Sequence, residues 1–337
     1  MPAERPLPGR RSVAPRAPAC SAAAMPAFAI DKPLGLTSHD VVARGRRLLG
    51  TRRVGHGGTL DPLATGVLLL LSDEATKLSP YLTGSDKAYL AWVVFGLGTP
   101  TLDAEGPVVE RGDAGALTAA AVAASLTPFL SLTMQLPPAY AAIKQGGVKG
   151  YEAARRGEAL DLPPRPAGYR HLELLAFGPW DAVPRGWRRD GASWRPDPGA
   201  PAPLPPPLDA HAPTAVVALD VRSGTYVRAF ARDLGAALGV PAHLGGLRRT
   251  RAGTVEIEAA APLEALPEAA PLDPVGLLGL PTVVLDAPTA ARLRDGQRVA
   301  ATFEGRAAIV DPDGRLVAVA DADEGRARPL RVWRQGV

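Results

Sequence analysis

The sequence holds a single cysteine, Cys20, so no internal disulfide and no cluster of metal thiolates can be built from it. One cysteine fits a reducing cytoplasm. No apolar run approaches the roughly 18 residues that would suggest a membrane span, so no membrane partner is expected. Lysine is nearly absent: of 38 Lys and Arg only five are lysine (Lys32, Lys77, Lys87, Lys144 and Lys149), and all precede residue 150. The excess over 34 acids is small, a formal +4, and the pI of about 9.4 leans towards an anionic partner. The 337 residues are enough for two domains, and 46% hydrophobic content supports a sizeable core.

Residues 1–26 are basic and rich in Ala and Pro. A signal peptide needs an apolar stretch of about 7–15 residues. Pro15, Arg16 and Pro18 interrupt any such stretch, so a disordered tail is expected, or a start at Met25. Phe28 to Ile30 reads as a strand, and Thr37 or Ser38 can cap a helix that runs to Leu49 and stops at Gly50. Val67 to Leu71 is a continuous apolar run, short enough for a buried strand, and Glu74 to Leu82 reads as a short helix. Lys87 to Phe95 alternates, with Tyr89, Ala91, Val93 and Phe95 on one face and Leu90, Trp92 and Val94 on the other. That pattern is a strand covered on both sides. Helices are predicted over Leu117 to Leu130, from Tyr151 to Arg156 and over Arg228 to Leu238, and a strand over Ala215 to Val221. Residues 179–213 hold ten prolines and no period, which reads as a flexible insertion. Beyond about residue 275 short strands (Thr282 to Leu285, Ala307 to Asp311, Leu316 to Ala320) suggest a small β-rich appendage over 276–337. Strands and helices without a βαβ rhythm argue for an α+β fold.

The densest motif is G-H-G-G-T-L-D-P-L-A-T-G, Gly55 to Gly66. Its glycines permit close backbone approach, and Pro62 stiffens the chain behind Asp61 and biases Asp61 away from helix. Such a loop can present one carboxylate at the bottom of a cleft. On composition alone, a turn in which Asp61 bonds the backbone is the simpler account. Five arginines (Arg44, Arg46, Arg47, Arg52, Arg53) with no acid among them lie between Val41 and Leu60, and Arg248, Arg249 and Arg251 form a second cluster. Both could track phosphates, and both could be solvated faces.

Taken with D-K-P-L-G-L-T-S at Asp31 to Ser38, the motif closely resembles the TruB family of tRNA pseudouridine synthases. The resemblance continues in order through E-A-T-K-L (Glu74 to Leu78), S-D-K-A-Y (Ser85 to Tyr89), T-L-D-A-E-G (Thr101 to Gly106), S-G-T-Y-V-R (Ser223 to Arg228) and L-R-R-T (Leu247 to Thr250), over about residues 28–260. It implies a pseudouridine synthase fold, a mixed and mainly antiparallel central sheet flanked by helices and loops, over 27–275. The β-rich tail then resembles a PUA-like RNA-binding domain. It implies isomerisation of a uridine at position 55 in the T-loop of tRNA, with the base flipped out of its stack. No electrons or groups are gained in that reaction, so no cofactor and no metal is expected. Asp61 would be the nucleophile, attacking C6 of the base or C1′ of the ribose. Arg228 would pair with it, and Tyr89 would stack on the base and remove the C5 proton. His56 would fill the space left by the flipped nucleotide. Lys77 would touch phosphate or a loop and Asp103 would join an ionic network with arginine, with a surface salt bridge as the plainer reading of both. Arg44, Arg47, Arg52, Arg53, Lys144, Arg248 and Arg249 would contact RNA, with Lys144 in a thumb-like insertion over about 130–152. Pro100 departs from the pattern, standing where many relatives carry an acid. The partner expected is the tRNA T-arm, to a monomer with no protein partner. A non-catalytic tRNA-binding or RNA-folding protein on the same scaffold, or a synthase for another RNA, would share every basic patch. Asp61, Arg228 and Tyr89 together separate the enzyme from the binder.

Overall fold

The computed structural model describes residues 25–140, 144–145, 148–149 and 162–334. The expected tail, up to residue 24, and the expected helix from Tyr151 to Arg156 lie outside the described residues.

The chain enters on β1 (Ala27–Lys32) and turns into α1 (Ser38–Leu49). Thr37 caps α1 as expected: its hydroxyl accepts from the Asp40 N–H, and the Asp40 carboxylate accepts in return from the Thr37 N–H. Gly50, left-handed at φ 66°, ends the helix. Next come β2 (Val54–His56), the Gly-rich loop, β3 (Ala64–Ser72) and β4 (Lys87–Phe95). Helix α2 (Ala119–Leu126), β5 (Tyr169–Pro179), and a hairpin of β6 (Gly186–Asp190) and β7 (Ser193–Pro201) follow. Strand β8 (Pro213–Val221), α3 (Val227–Ala237) and β9 (Ala242–Ala252) come after them in the larger domain.

The central sheet runs β5-β8-β4-β9-β3-β1, with the two-residue strand Ala261–Pro262 on the far edge and β2 paired to β3. Its ladders are antiparallel except β9 on β3 and the far-edge strand on β1, so the sheet is mixed and mainly antiparallel, as expected. Strand β3 is buried along its whole length. Leu68 and Leu70 pack towards α1, whereas Val67, Leu69 and Leu71 pack against the C-terminal domain, which is why its sequence is a continuous apolar run. Strand β4 splits the same way, with Tyr89, Ala91, Val93 and Phe95 on the helix face and Leu90, Trp92 and Val94 on the other.

Two expectations are corrected. Residues 179–213 are not a flexible insertion. They carry the β6–β7 hairpin, and Trp180 is fully buried with Trp187 and Trp194 packed beside it against the back of the sheet. The Pro184 carbonyl accepts from both Trp92 (3.1 Å) and Trp187 (3.2 Å). The prolines hide the hairpin from a periodicity search, yet three tryptophans supply the apolar area that orders it. The second correction is β9. Its arginines read as a surface cluster, but it is a central strand between β4 and β3. A side chain at Gly245 would come within 2.6 Å of Trp180, so glycine is what lets the hairpin close on it.

The C-terminal domain is a five-stranded sheet. Its strands are β10 (Thr282–Val284), β11 (Val299–Ala300), β12 (Gly305–Val310), β13 (Leu316–Asp323) and β14 (Arg326–Val332), in the order β10-β12-β13-β14-β11. Helix α4 (Ala287–Arg294) covers one side of it. Leu316, Val319 and Trp333 join the core behind β3, so the two domains share a cluster. No helix among the described residues is long and apolar enough to cross a membrane.

Candidate active site around Asp61

The Gly-rich loop is held at several backbone groups. The Gly57 N–H donates to the Leu69 carbonyl (2.9 Å). Ser38 Oγ accepts from the Leu60 N–H at 2.8 Å and lies 3.1 Å from the Leu60 carbonyl. The Pro62 carbonyl accepts from the Gly35 N–H (2.9 Å) and from Lys32 Nζ (3.3 Å). Gly66 ends the loop at φ 96°, where an added Cβ would stand 2.1 Å from the Arg249 carbonyl oxygen. Asp61 therefore projects from a segment with little freedom to move.

Its partner is Arg228, in the first turn of α3. Arg228 Nε lies 2.9 Å from Asp61 Oδ2. Arg228 is itself fully engaged: Nη1 donates to the Thr101 carbonyl (3.0 Å) and lies 3.5 Å from Asp103 Oδ2, and Nη2 donates to the Tyr140 carbonyl (3.0 Å). The arginine and Asp103 are buried, with side chains 9% and 4% exposed, whereas Asp61 remains 37% exposed. The pair thus has a buried cation behind and a reachable carboxylate in front. Burial pushes the Asp103 carboxyl above its usual range, while the Thr101 hydroxyl and the Arg228 charge oppose the rise. Asp103 also accepts from Thr101 Oγ1 (2.6 Å) and the Glu105 N–H (3.1 Å).

Tyr89 sits on β4 opposite Arg249 of β9 and packs in the cluster that contains Leu60 and Leu63, the neighbours of the Asp61 segment. His56 is half-buried at the end of β2, edge-on to His39 with ring centroids 5.6 Å apart. Its Nδ1 is buried without a partner, and burial holds its pKa below the ordinary histidine value.

The basic residues divide. Arg47 and Arg52 are exposed and pair with none of the described residues. Arg44 lies 3.9 Å from Glu264, Arg53 pairs with Glu74 (2.9 Å), and Arg46 donates to the Val54 carbonyl. Arg249 cannot contact RNA as expected. It is 1% exposed, and its guanidinium donates to the carbonyls of Val67 (2.6 Å), Thr59 (3.3 Å) and Gly58 (3.2 Å), bracing the Gly-rich loop from beneath. Arg248 is clamped in two-pronged fashion on Asp31 (3.1 and 2.8 Å). Lys77 is likewise committed, to Glu74 (2.5 Å) and the Val332 carbonyl (3.1 Å), at the seam with the C-terminal domain. Of Lys144 only its strand is described, Lys144–Gln145 paired with Val148–Lys149; the rest of 141–161 lies outside the described residues.

Lys32 is a site residue that sequence reasoning passed over, although it stands in the quoted D-K-P block. It is fully buried and donates to the carbonyls of Pro33, Leu36 and Pro62. Burial lowers its pKa to about 8, against the pull of the Asp61 charge.

The chain matches the model of the TruB family pseudouridylate synthase N-terminal domain over residues 46–183, and that of the tRNA pseudouridine synthase II C-terminal region over 280–334. It is 49% identical over 316 residues to tRNA pseudouridine synthase B of Thermus thermophilus, covering 92% of this chain and 99% of that protein. This chain belongs to the TruB family. Within the family it is also 49% identical to the synthase B of Deinococcus radiodurans, over 92% of this chain and all of that protein. The crystal structure of a Cbf5-Nop10-Gar1 complex holds a chain of the same fold, with a TM-score of 0.64 over 92% of this chain and 84% of that one at 22% identity. An α+β pseudouridine synthase fold with a separate C-terminal β domain, inferred from sequence, is thus the fold of this TruB chain.

Proposed function

We propose that this protein isomerises the uridine at position 55 in the T-loop of tRNA to pseudouridine, with Asp61 as nucleophile. The relatives from Thermus and Deinococcus carry the name tRNA pseudouridine synthase B. The observation that carries the reading is the Asp61–Arg228 contact at 2.9 Å, with the carboxylate reachable and the guanidinium buried. A buried guanidinium at hydrogen-bond distance holds the carboxylate aimed, which is what a carboxylate nucleophile needs.

The uridine must first leave its stack, at a cost of a few kcal/mol. Asp61 then attacks C1′ or C6. The N1–C1′ bond breaks, the uracil turns, C5 bonds to C1′, and the bond to Asp61 breaks again to free the carboxylate. The C5 proton leaves and N1 gains one, so the product is an isomer and no group is lost. Tyr89, on the strand beside the loop, is the residue proposed to stack on the base and take the C5 proton. The exposed Arg47 and Arg52 lie on the stretch that leads into the Gly-rich loop, where phosphates can be tracked.

The test is pseudouridine mapping, base by base, of an unmodified tRNA transcript incubated with the enzyme. Conversion at the T-loop uridine is expected, and none in a transcript with cytidine there. Conversion only elsewhere would move the substrate assignment, and no conversion in any RNA would favour a binding protein.

A further inference from the structure

Helix α3 begins without a cap of its own. Tyr226 stands at its N-cap, and its side chain makes no capping bond. The backbone of Tyr226 is instead met by a side chain 91 positions earlier. Gln135 Oε1 accepts from the Tyr226 N–H (2.9 Å), and Gln135 Nε2 donates back to the Tyr226 carbonyl (3.2 Å) and to the Tyr169 hydroxyl (2.9 Å). Gln135 is 6% exposed, so water cannot replace these bonds. Tyr169 is in turn wedged against Phe129 and Phe230, with centroids 5.7 and 5.6 Å away.

Two further bonds join the same segment to α3. Arg232 Nη2 donates to the Leu136 carbonyl (2.9 Å), and Arg228 Nη2 to the Tyr140 carbonyl (3.0 Å). Residues 135–140 are therefore tied to the helix at Tyr226, Arg228 and Arg232. Arg228 lies two residues beyond the Gln135 clamp, and one of its acceptors lies five residues beyond Gln135 on the other chain segment. A shift at Gln135 reaches the guanidinium from both sides.

We propose that Gln135 is a positioning residue for the reaction: it fixes the start of α3 against residues 135–140, and so holds Arg228 on Asp61. The inference rests on the reading that the Asp61–Arg228 pair does the chemistry. A buried glutamine that served only the fold would lower stability and leave the turnover of folded enzyme alone.

The test is the single-turnover rate of pseudouridine formation on a tRNA transcript, with tRNA Kd and thermal midpoint, for Gln135→Met in wild-type and Arg228→Lys backgrounds. The rate is expected to fall about 10- to 100-fold, as for a misplaced catalytic group, with Kd within about threefold of wild type. In the Arg228→Lys background the same change should cost little more, because the two residues act as one unit. A wild-type rate in folded Gln135→Met, or the full loss repeated on top of Arg228→Lys, would overturn the proposal. Should Gln135→Met not fold, Gln135→Glu keeps the acceptor for the Tyr226 N–H. Its rate at pH 8 should fall by at least about threefold, and a wild-type rate there would also overturn the proposal. Wild-type enzyme that makes no pseudouridine would remove the functional reading; an active wild type beside an unaffected variant removes this inference alone.

Discussion

Under the Asp61 loop the central sheet is braced by buried charges set against backbone carbonyls, whereas under the β6–β7 hairpin its opposite face is closed by tryptophans. On the first, Lys32, Arg249 and Lys87 are each at most 7% exposed and donate chiefly to carbonyls. On the second, Trp92, Trp180, Trp187 and Trp194 fill the space between strand and hairpin. Burying a cation is costly where an apolar side chain would serve. The first accepts that cost at the loop from which Asp61 projects. The second has no such group to hold.

The sharpest way to break the comparison is Arg228→Met. It leaves Asp103 buried without its cation and Asp61 unaimed. A rate loss of about a thousandfold is expected, along with a stability loss of about 3–5 kcal/mol for a broken buried pair. Near-normal turnover would show that the charged face is not organised around chemistry. Trp180→Ala tests the other face. Truncating a fully buried tryptophan should lower unfolding free energy by about 3–5 kcal/mol, read by urea titration, while turnover per folded molecule stays within about twofold. A selective loss of turnover would mean that the hairpin serves the site. Arg249→Met should lower stability by about 2–3 kcal/mol, because carbonyls of the Gly-rich loop lose their donor, and should also slow turnover through the looser loop. The coupling of both effects in one variant would set it apart from Trp180→Ala.

The smallest effect is in pH. Burial pushes Lys32 and Lys87 each down to about 8 from 10.5. Below that window both folded and unfolded chains hold these protons. Between about pH 8 and 10.5 the unfolded chain keeps them while the folded chain has released them, so this contribution to stability rises with pH. The shift in urea midpoint from pH 7 to 9.5 should therefore be more favourable in wild type than in Lys87→Met. Equal shifts would mean that Lys87 is not held in a low-dielectric site.

Much of this was legible before the fold was known. The Thr37 cap, the apolar run of β3 and the alternation of β4 are local patterns, and local patterns survive in sequence. The Asp61 loop was legible as a motif, and Arg228 through its block. Strand β9 was not, since its two adjacent glycines and four basic residues give no apolar alternation, and the burial of Arg249 makes sense only with Gly58 and Thr59, about 190 positions away, in place. Gln135 was missed for the same reason: its partners are 34 and 91 positions distant. The hairpin was masked by its prolines, which mark loops in general but here leave three tryptophans free to anchor it.

The account depends most on the Asp61 carboxylate. Asp61→Asn keeps the shape and removes the charge, so the variant should bind a tRNA transcript within a fewfold of wild type. At saturating enzyme it should form no pseudouridine at the T-loop uridine over a time in which wild type completes the reaction. Pseudouridine formed by Asp61→Asn at a rate near that of wild type would contradict the account.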